Sequence, residues 1–410
     1  MIDKVLDEFR PGRRIYIPGA TGEMLALAAA LTADPGRMRG VHVLSCLLPG
    51  INQTDYAVLA DDARLSVFMA SPALRRGIEA GRTSILPLGY TGIVRYLTET
   101  ADIDVAIAHV APPGPDGACS LGIAADFTPL AWRRARRRVA VINSSMPSML
   151  NGPCLSLAEA DVVAEIEAPL ICGEAFKGNA RLESIAVIVA GLVPNGAAVQ
   201  LGLGGASSAV WCQLAGHRDL VIASGMVTDD VRVLSEAGAL RAGGKHRAGV
   251  AFGSMDFYCY LGHSGLIGFA SVPDTHAQAV LAVLPKFFAI NGALEVDLLG
   301  QVNSEWRDGR LVSGGGGVLD FVRGAAASRG GHSIIALPAT GGGASKIVAR
   351  LGSHGITIPR GDADMVVTEF GVASLRDRSM DERAATLIAI AAPEYRDALA
   401  ASWRDMRRDS

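Results

Sequence analysis

Val105-Ala106-Ile107-Ala108-His109-Val110 and Val139-Ala140-Val141-Ile142 are continuous apolar runs of strand length, and a helix-like stretch, 129–138, ends where the second begins. Strands apolar on both faces must be covered on both sides, as in a parallel sheet flanked by helices. The alternation extends outward in both directions. Upstream lie apolar runs at 14–17, 41–44, 65–68 and 84–87, with a helical pattern at 23–31. Downstream, 151–178 is richer in Pro and Gly and reads as an irregular connector, followed by a helical stretch at 179–191. A second series of strands then begins, at 199–202, 219–223, 249–252, 286–290, 333–337 and 365–368. Strands alternating with helices build βαβ units. The chain therefore predicts an α/β protein with two tandem open α/β domains, 1–190 and 191–410.

Composition narrows the partners. The net charge of −3 argues against nucleic acid. The one strongly basic run, Arg133, Arg134, Arg136, Arg137 and Arg138, reads either as a solvated helix end before a strand or as an anion or partner site. The six cysteines form no CxxC pair and no zinc spacing, so no metal is expected. The N-terminal stretch has acidic residues and no apolar h-region, and no apolar run has the length of a membrane span. The expectation is a reduced, cytoplasmic protein without a membrane partner. Glycine, at 48 residues, is in excess and clusters in short loops between apolar runs, where backbone can approach a ligand closely.

Two of those loops carry chemistry. Gly202-Leu203-Gly204-Gly205-Ala206-Ser207 follows a strand and opens a helix. It departs from the dinucleotide fingerprint at Ser207, and the next strand ends in Ala223-Ser224 with no ribose-binding acid. What it still offers, through Gly202, Gly204 and Gly205, is amides at a helix N-terminus, suited to an anion or an oxyanion. Ser313-Gly314-Gly315-Gly316-Gly317 is more unusual, since consecutive glycines can turn amides toward a ligand without Cβ interference. Alone, it reads equally as a surface turn.

It stands within Asn291-Gly292-Ala293-Leu294-Glu295-Val296-Asp297-Leu298-Leu299-Gly300-Gln301-Val302-Asn303-Ser304-Glu305, Leu319-Asp320-Phe321-Val322-Arg323-Gly324, Ser345-Lys346-Ile347-Val348 and Val366-Val367-Thr368-Glu369-Phe370-Gly371. With Pro112-Pro113, Asp116-Gly117 and Gly122 to Asp126 earlier, this resembles the acetyl-CoA hydrolase/transferase family, and within it the 4-hydroxybutyrate and butyrate–acetate CoA-transferases. The resemblance implies two domains of the CoA-transferase fold with the active site in the cleft between them. It implies coenzyme A or acyl-CoA as substrate, no permanently bound cofactor, and a homodimer or larger homo-oligomer. It places the pantetheine arm along Ser313, Gly314, Gly315, Gly316 and Gly317, with the amide of Gly315 or Gly316 stabilising the thioester oxyanion and Lys346 in the CoA-binding set.

The resemblance also exposes a gap. In the family a glutamate attacks the acyl-CoA and then carries CoA as a glutamyl thioester. Its motif, His, Ser or Thr, Glu, Met, matches Ala223-Ser224-Gly225-Met226 here, which puts Gly225 at the nucleophile position. Ser207 and Ile142 are further departures expected in the cleft. Substitutes are then sought among polar residues at strand ends. Glu23 is a candidate general base or a pocket-shaping carboxylate. His109 is a proton-transfer candidate or a satisfied structural histidine. Asn143 and Ser144 either orient a carbonyl or bond their own loop, and Ser224 either donates to substrate or bonds backbone. Cys212 and Cys259 are weaker nucleophile candidates, and Glu305 and Glu369 read as structural. The expected function is thioester chemistry without a glutamyl-CoA intermediate: hydrolysis, intramolecular acyl transfer, or lyase or decarboxylase chemistry, on CoA or on an acyl carrier protein. Two alternatives stay open, a true CoA-transferase using another carboxylate such as Glu23, and an inactive CoA-binding subunit.

Overall fold

The computed structural model describes residues 2–173, 179–202, 204–352 and 355–408. Both series of apolar runs form sheets. The first holds β1 (Arg14–Tyr16), β2 (His42–Leu44), β3 (Arg64–Val67), β4 (Thr83–Ile85), β5 (Val105–Val110), β6 (Arg137–Asn143) and β7 (Val162–Ile166). The second holds β8 (Ala198–Leu201), β9 (Val221–Ile222), β10 (Phe287–Gly292), β11 (His332–Ala336), β12 (Met365–Thr368) and β13 (Gly371–Ser374). The first sheet is parallel throughout in the order β4-β3-β2-β1-β5-β6-β7. The second has the order β9-β8-β10-β11-β12-β13 and is parallel except for its last strand.

Burial explains which expectations hold. All six residues of β5 are buried, the double-sided apolar run of a central strand. β7 lies in the stretch expected to be irregular. It is an edge strand with one buried residue, so it lacks a continuous apolar signal. Val250–Ala251 pairs with Met226–Val227 in a small separate ladder rather than joining the second sheet. The helix Ala180–Leu192, assigned to the first half by a boundary near 190, packs on the helix Gly205–Gln213 and on β11, β12 and β13. The change from one sheet to the other thus falls before it. The basic run is mostly used within the chain: Arg136 pairs with Asp102 and Asp104, Arg137 pairs with Glu8, and Arg134 and Arg138 donate to the carbonyls of Ala101 and Trp132. No described helix is long and apolar enough to cross a membrane.

Strand order determines where a ligand fits. In the first sheet the chain runs outward from β1 to β4 and then returns to β5 beside β1. In the second, β8 lies between β9 and β10 in the same way. Such reversals open a crevice beyond the carboxyl ends of the central strands. The two crevices meet. Thr21 Oγ1 donates to the Ala251 carbonyl at 2.9 Å, and the amides of Ala125 and Ala251 bond Gly249 O and Ile123 O at 2.9 and 2.8 Å.

Candidate active site

A cavity of about 310 Å³ lies where the crevices meet, walled by strand-end residues of both sheets. Ala20, Leu48, Pro49 and Met69 come from the loops after β1, β2 and β3. Gln200 and Asn291 come from β8 and β10, and exchange paired amide hydrogen bonds of 3.1 and 3.0 Å. Gly202 is glycine for a local reason: a Cβ there would stand 2.8 Å from Asn291 Oδ1.

The 313–317 loop crosses the mouth between the halves, and all five residues line the cavity. The Ala70 amide bonds Ser313 O and the Tyr90 amide bonds Gly316 O, both at 3.1 Å, tying the loop to the first half. A Cβ on Gly314 would meet Met69 Cγ at 2.7 Å and Phe68 O at 2.9 Å. Gly316 adopts φ +52°, the left-handed region. Close approach and a positive φ account for two of the glycines. The loop then enters the helix Val318–Ala327, whose N-terminus adds its dipole to the same place.

Gly225 faces this loop across the cavity. The space beside it is taken by His276, at the end of the helix Val272–His276: a Cβ on Gly225 would lie 3.0 Å from His276 Nε2 and 3.4 Å from the Phe321 ring. A Cβ on Gly317 would lie 2.6 Å from the same nitrogen. The imidazole is wedged between Gly225 and the loop, with the rings of Phe321 and Tyr90 at 4.3 and 4.7 Å. Burial pushes its pKa down to about 3, so it is neutral at physiological pH. Nδ1 is 2.8 Å from Thr275 Oγ1, and that oxygen is 3.3 Å from Ser271 O. The arrangement that makes both contacts hydrogen bonds has Nδ1–H donating to Thr275 and the hydroxyl donating to the carbonyl. Nε2 is then the unprotonated nitrogen at the cleft.

Of the candidates named from sequence, Gly202, Ser313, Gly314, Gly315, Gly316, Gly317 and Gly225 line the cavity; the others do not. Glu23 turns inward to Asn52 Nδ2 and the Tyr56 hydroxyl, each donating at 2.8 Å, and burial raises its pKa. His109 accepts from Asn143 Nδ2 at 3.1 Å and donates through Nδ1 to Gly22 O at 3.2 Å, and burial lowers its pKa to about 4. Asn143 Oδ1 is committed to the amides of Ser145 and Ala168. Ser224 Oγ bonds the carbonyls of Leu201 and Met226, the backbone role of a strand-end hydroxyl. Gly204 and Gly205 cap and open their helix, and Leu203 between the loop's glycines is outside the described residues. Lys346 packs its stem beside Gly341. Ser207 and Ile142 are buried in neighbouring packing, not in the cavity wall, whereas Gly225 lines it. Among the described residues no cluster suited to a metal ion is present.

Sequence reasoning missed His276 as a site residue, and it quoted Asp126 only as part of a resemblance. Asp126 lines the cavity and is 5% exposed, with burial raising its pKa to about 6. His276 sits in Ser271-Val272-Pro273-Asp274-Thr275-His276, where no spacing marks it, and only the fold brings it to Gly225.

Comparison with known proteins agrees with this architecture. The acetyl-CoA hydrolase/transferase N-terminal domain matches residues 2–171, and the corresponding C-terminal domain matches 253–403. The 4-hydroxybutyrate coenzyme A transferase of Clostridium kluyveri is 29% identical over 97% of this chain and 95% of its own length. Among solved structures, RipA from Yersinia pestis superposes with a TM-score of 0.88 at 30% identity, covering 99% of this chain and 96% of RipA. The 4-hydroxybutyrate CoA-transferase of Porphyromonas gingivalis gives 0.81 at 28% identity, covering 100% and 96%.

Proposed function

From the premise that the chain belongs to the acetyl-CoA hydrolase/transferase family, we propose that it acts on an acyl-CoA, or a related pantetheine thioester, without a glutamyl-CoA intermediate. The observation that carries this reading is Gly225. It has no side chain, and the volume its Cβ would need lies against His276 and Phe321. The other carboxylate considered from sequence, Glu23, is held by Asn52 and Tyr56 away from the cavity wall, which disfavours it as a CoA carrier.

The remaining parts suit acyl transfer to a small nucleophile. The amides of the 313–317 loop have no backbone acceptor among the described residues from Gly314 to Gly317, and they border the cavity. A thioester carbonyl placed there develops its negative charge against fixed N–H dipoles, which need no reorganisation during reaction. Apolar walls from Leu48, Met69, Val250 and Val272 suit an acyl chain. With no side-chain nucleophile at Gly225, water is the simplest acceptor, and hydrolysis is the reaction this geometry supports best. Thiol release from a panel of acyl-CoAs tests it, with the acyl-pantetheine carried on CoA in one arm and on a carrier protein in the other. No release and no binding of any thioester by the folded protein refutes the reading. A cytoplasmic homodimer accompanies this proposal, supported by family membership and by described cysteines that are all free; light scattering tests the dimer.

A further inference from the structure

We propose that Asp126 is the acid–base residue of this cleft, taking a proton from the attacking water and returning it to the departing CoA sulfur. The inference rests on the thioester reading above and names the group that serves it. Among the described residues lining the cavity, Asp126 is the only carboxylate. Its Oδ1 is buried with no hydrogen-bond partner among the described residues. A carboxylate oxygen left unpaired at a cavity wall is free to accept a hydrogen bond from a ligand or an attacking water. The residue is held in place by its backbone, whose carbonyl accepts from the Val272 amide of the other half at 3.0 Å.

The neighbours explain why it titrates near neutral pH. Tyr16 at the end of β1, Cys46 beyond β2, and Tyr90 at the start of the helix Tyr90–Arg95 all sense the Asp126 charge. All three are acids that burial keeps neutral, and none can carry positive charge. Tyr90 also senses Asp320, a further acid, and His276, which stacks on Tyr90, is neutral. With no cation opposing desolvation, burial outweighs the amides of Phe127 and Thr128 and the carboxyl rises to about 6. A base of that strength accepts a proton and gives it back at pH 7, as general acid–base work requires. Glu23, by contrast, has both oxygens engaged by donors.

The step balances. The water oxygen bonds the thioester carbon while its proton passes to Asp126, and the carbonyl electron pair moves onto the oxygen facing the loop amides. The pair then returns, the C–S bond breaks, and the proton on Asp126 goes to the sulfur. Carboxylic acid and CoA thiol leave, and Asp126 is again a carboxylate.

The test uses the full chain with a short acyl-CoA. The wild-type kcat/KM should rise with pH through a limb near 6. Asp126→Asn should lower kcat by roughly 10²–10⁴-fold and remove that limb. Its acyl-CoA affinity should stay within about threefold, an interval small against the tenfold that one pKa unit represents. Asp126→Glu should recover part of the rate with a limb of its own. An Asp126→Asn protein that keeps the rate or the limb overturns the proposal. A second readout needs no turnover: calorimetric titration with a non-hydrolysable thioether analogue of the acyl-CoA in buffers of different ionisation enthalpy. Near pH 6.5 the wild type should take up a fraction of a proton as ligand further desolvates Asp126, and Asp126→Asn should not. Binding without that difference overturns this proposal alone, whereas absence of binding overturns the thioester reading with it.

Discussion

A Cβ on residue 225 would stand 3.0 Å from His276 Nε2, so Gly225→Glu has to displace a ring packed between Phe321 and Tyr90. Overpacking of this kind costs about 1–3 kcal/mol. The expected outcome is a lower unfolding temperature, loss of native thioester turnover, and no CoA transfer from butyryl-CoA to acetate. Gly225→Glu combined with His276→Ala removes the clash and separates lack of space from lack of chemistry. Transfer to acetate by the single variant at a rate above the native reaction would show a cleft that has lost only its nucleophile. The sequence pointed to this residue through the flanking Ser224 and Met226, and the fold brings it to the cavity wall. His276 was not, since a histidine reaches Gly225 through a turn in space that no local pattern encodes.

At the scale of elements, the strands were readable because β5, β6, β8 and β12 are mostly buried on both faces and mostly apolar. β7 and β13 were not, because edge strands bury too little to leave a continuous run. The glycine loop was legible by composition, but its purpose came from packing. A Cβ on Gly316 would have only ordinary contacts, 3.8 Å to Met69 Sδ, so the cost of Gly316→Val lies in its φ of +52°. Gly317→Ala is different, because its Cβ would press to 2.5 Å from His276 Cδ2. Gly316→Val should weaken acyl-CoA binding several-fold by calorimetry. Gly317→Ala should lower kcat more than it weakens binding, because it moves the imidazole. Equal effects of both changes on kcat and on affinity would argue that the loop is only a turn.

For the whole molecule, buried titratable groups make stability depend on pH in opposing ways. Asp126 binds its proton more tightly folded than unfolded, so its contribution is fully present below its ordinary 3.8 and is lost as pH rises through about 6. His276 and His109 behave oppositely. Their folded pKa values of about 3 and 4 lie below the ordinary 6.5, so their contribution is present above 6.5 and lost as pH falls. Asp126→Asn removes a buried charge. It should raise the unfolding midpoint at pH 8 by the equivalent of up to about 3 kcal/mol, with the gain shrinking as the pH falls toward 4. A variant both more stable and less active fits a residue kept for chemistry rather than for packing. Equal or lower stability of Asp126→Asn at pH 8 would place a compensating partner beside it.

The two-domain cleft, the amide-lined loop and the lack of a side chain at Gly225 together support one proposal, that thioester chemistry here proceeds with no CoA carried on the protein. Intact-protein mass spectrometry after incubation with an acyl-CoA and acetate tests it most directly. The account predicts an unmodified chain, insensitivity to borohydride, and no acetyl-CoA formed. A stable CoA adduct on a glutamate or aspartate, accompanied by robust transfer to acetate from the unmodified sequence, would contradict it.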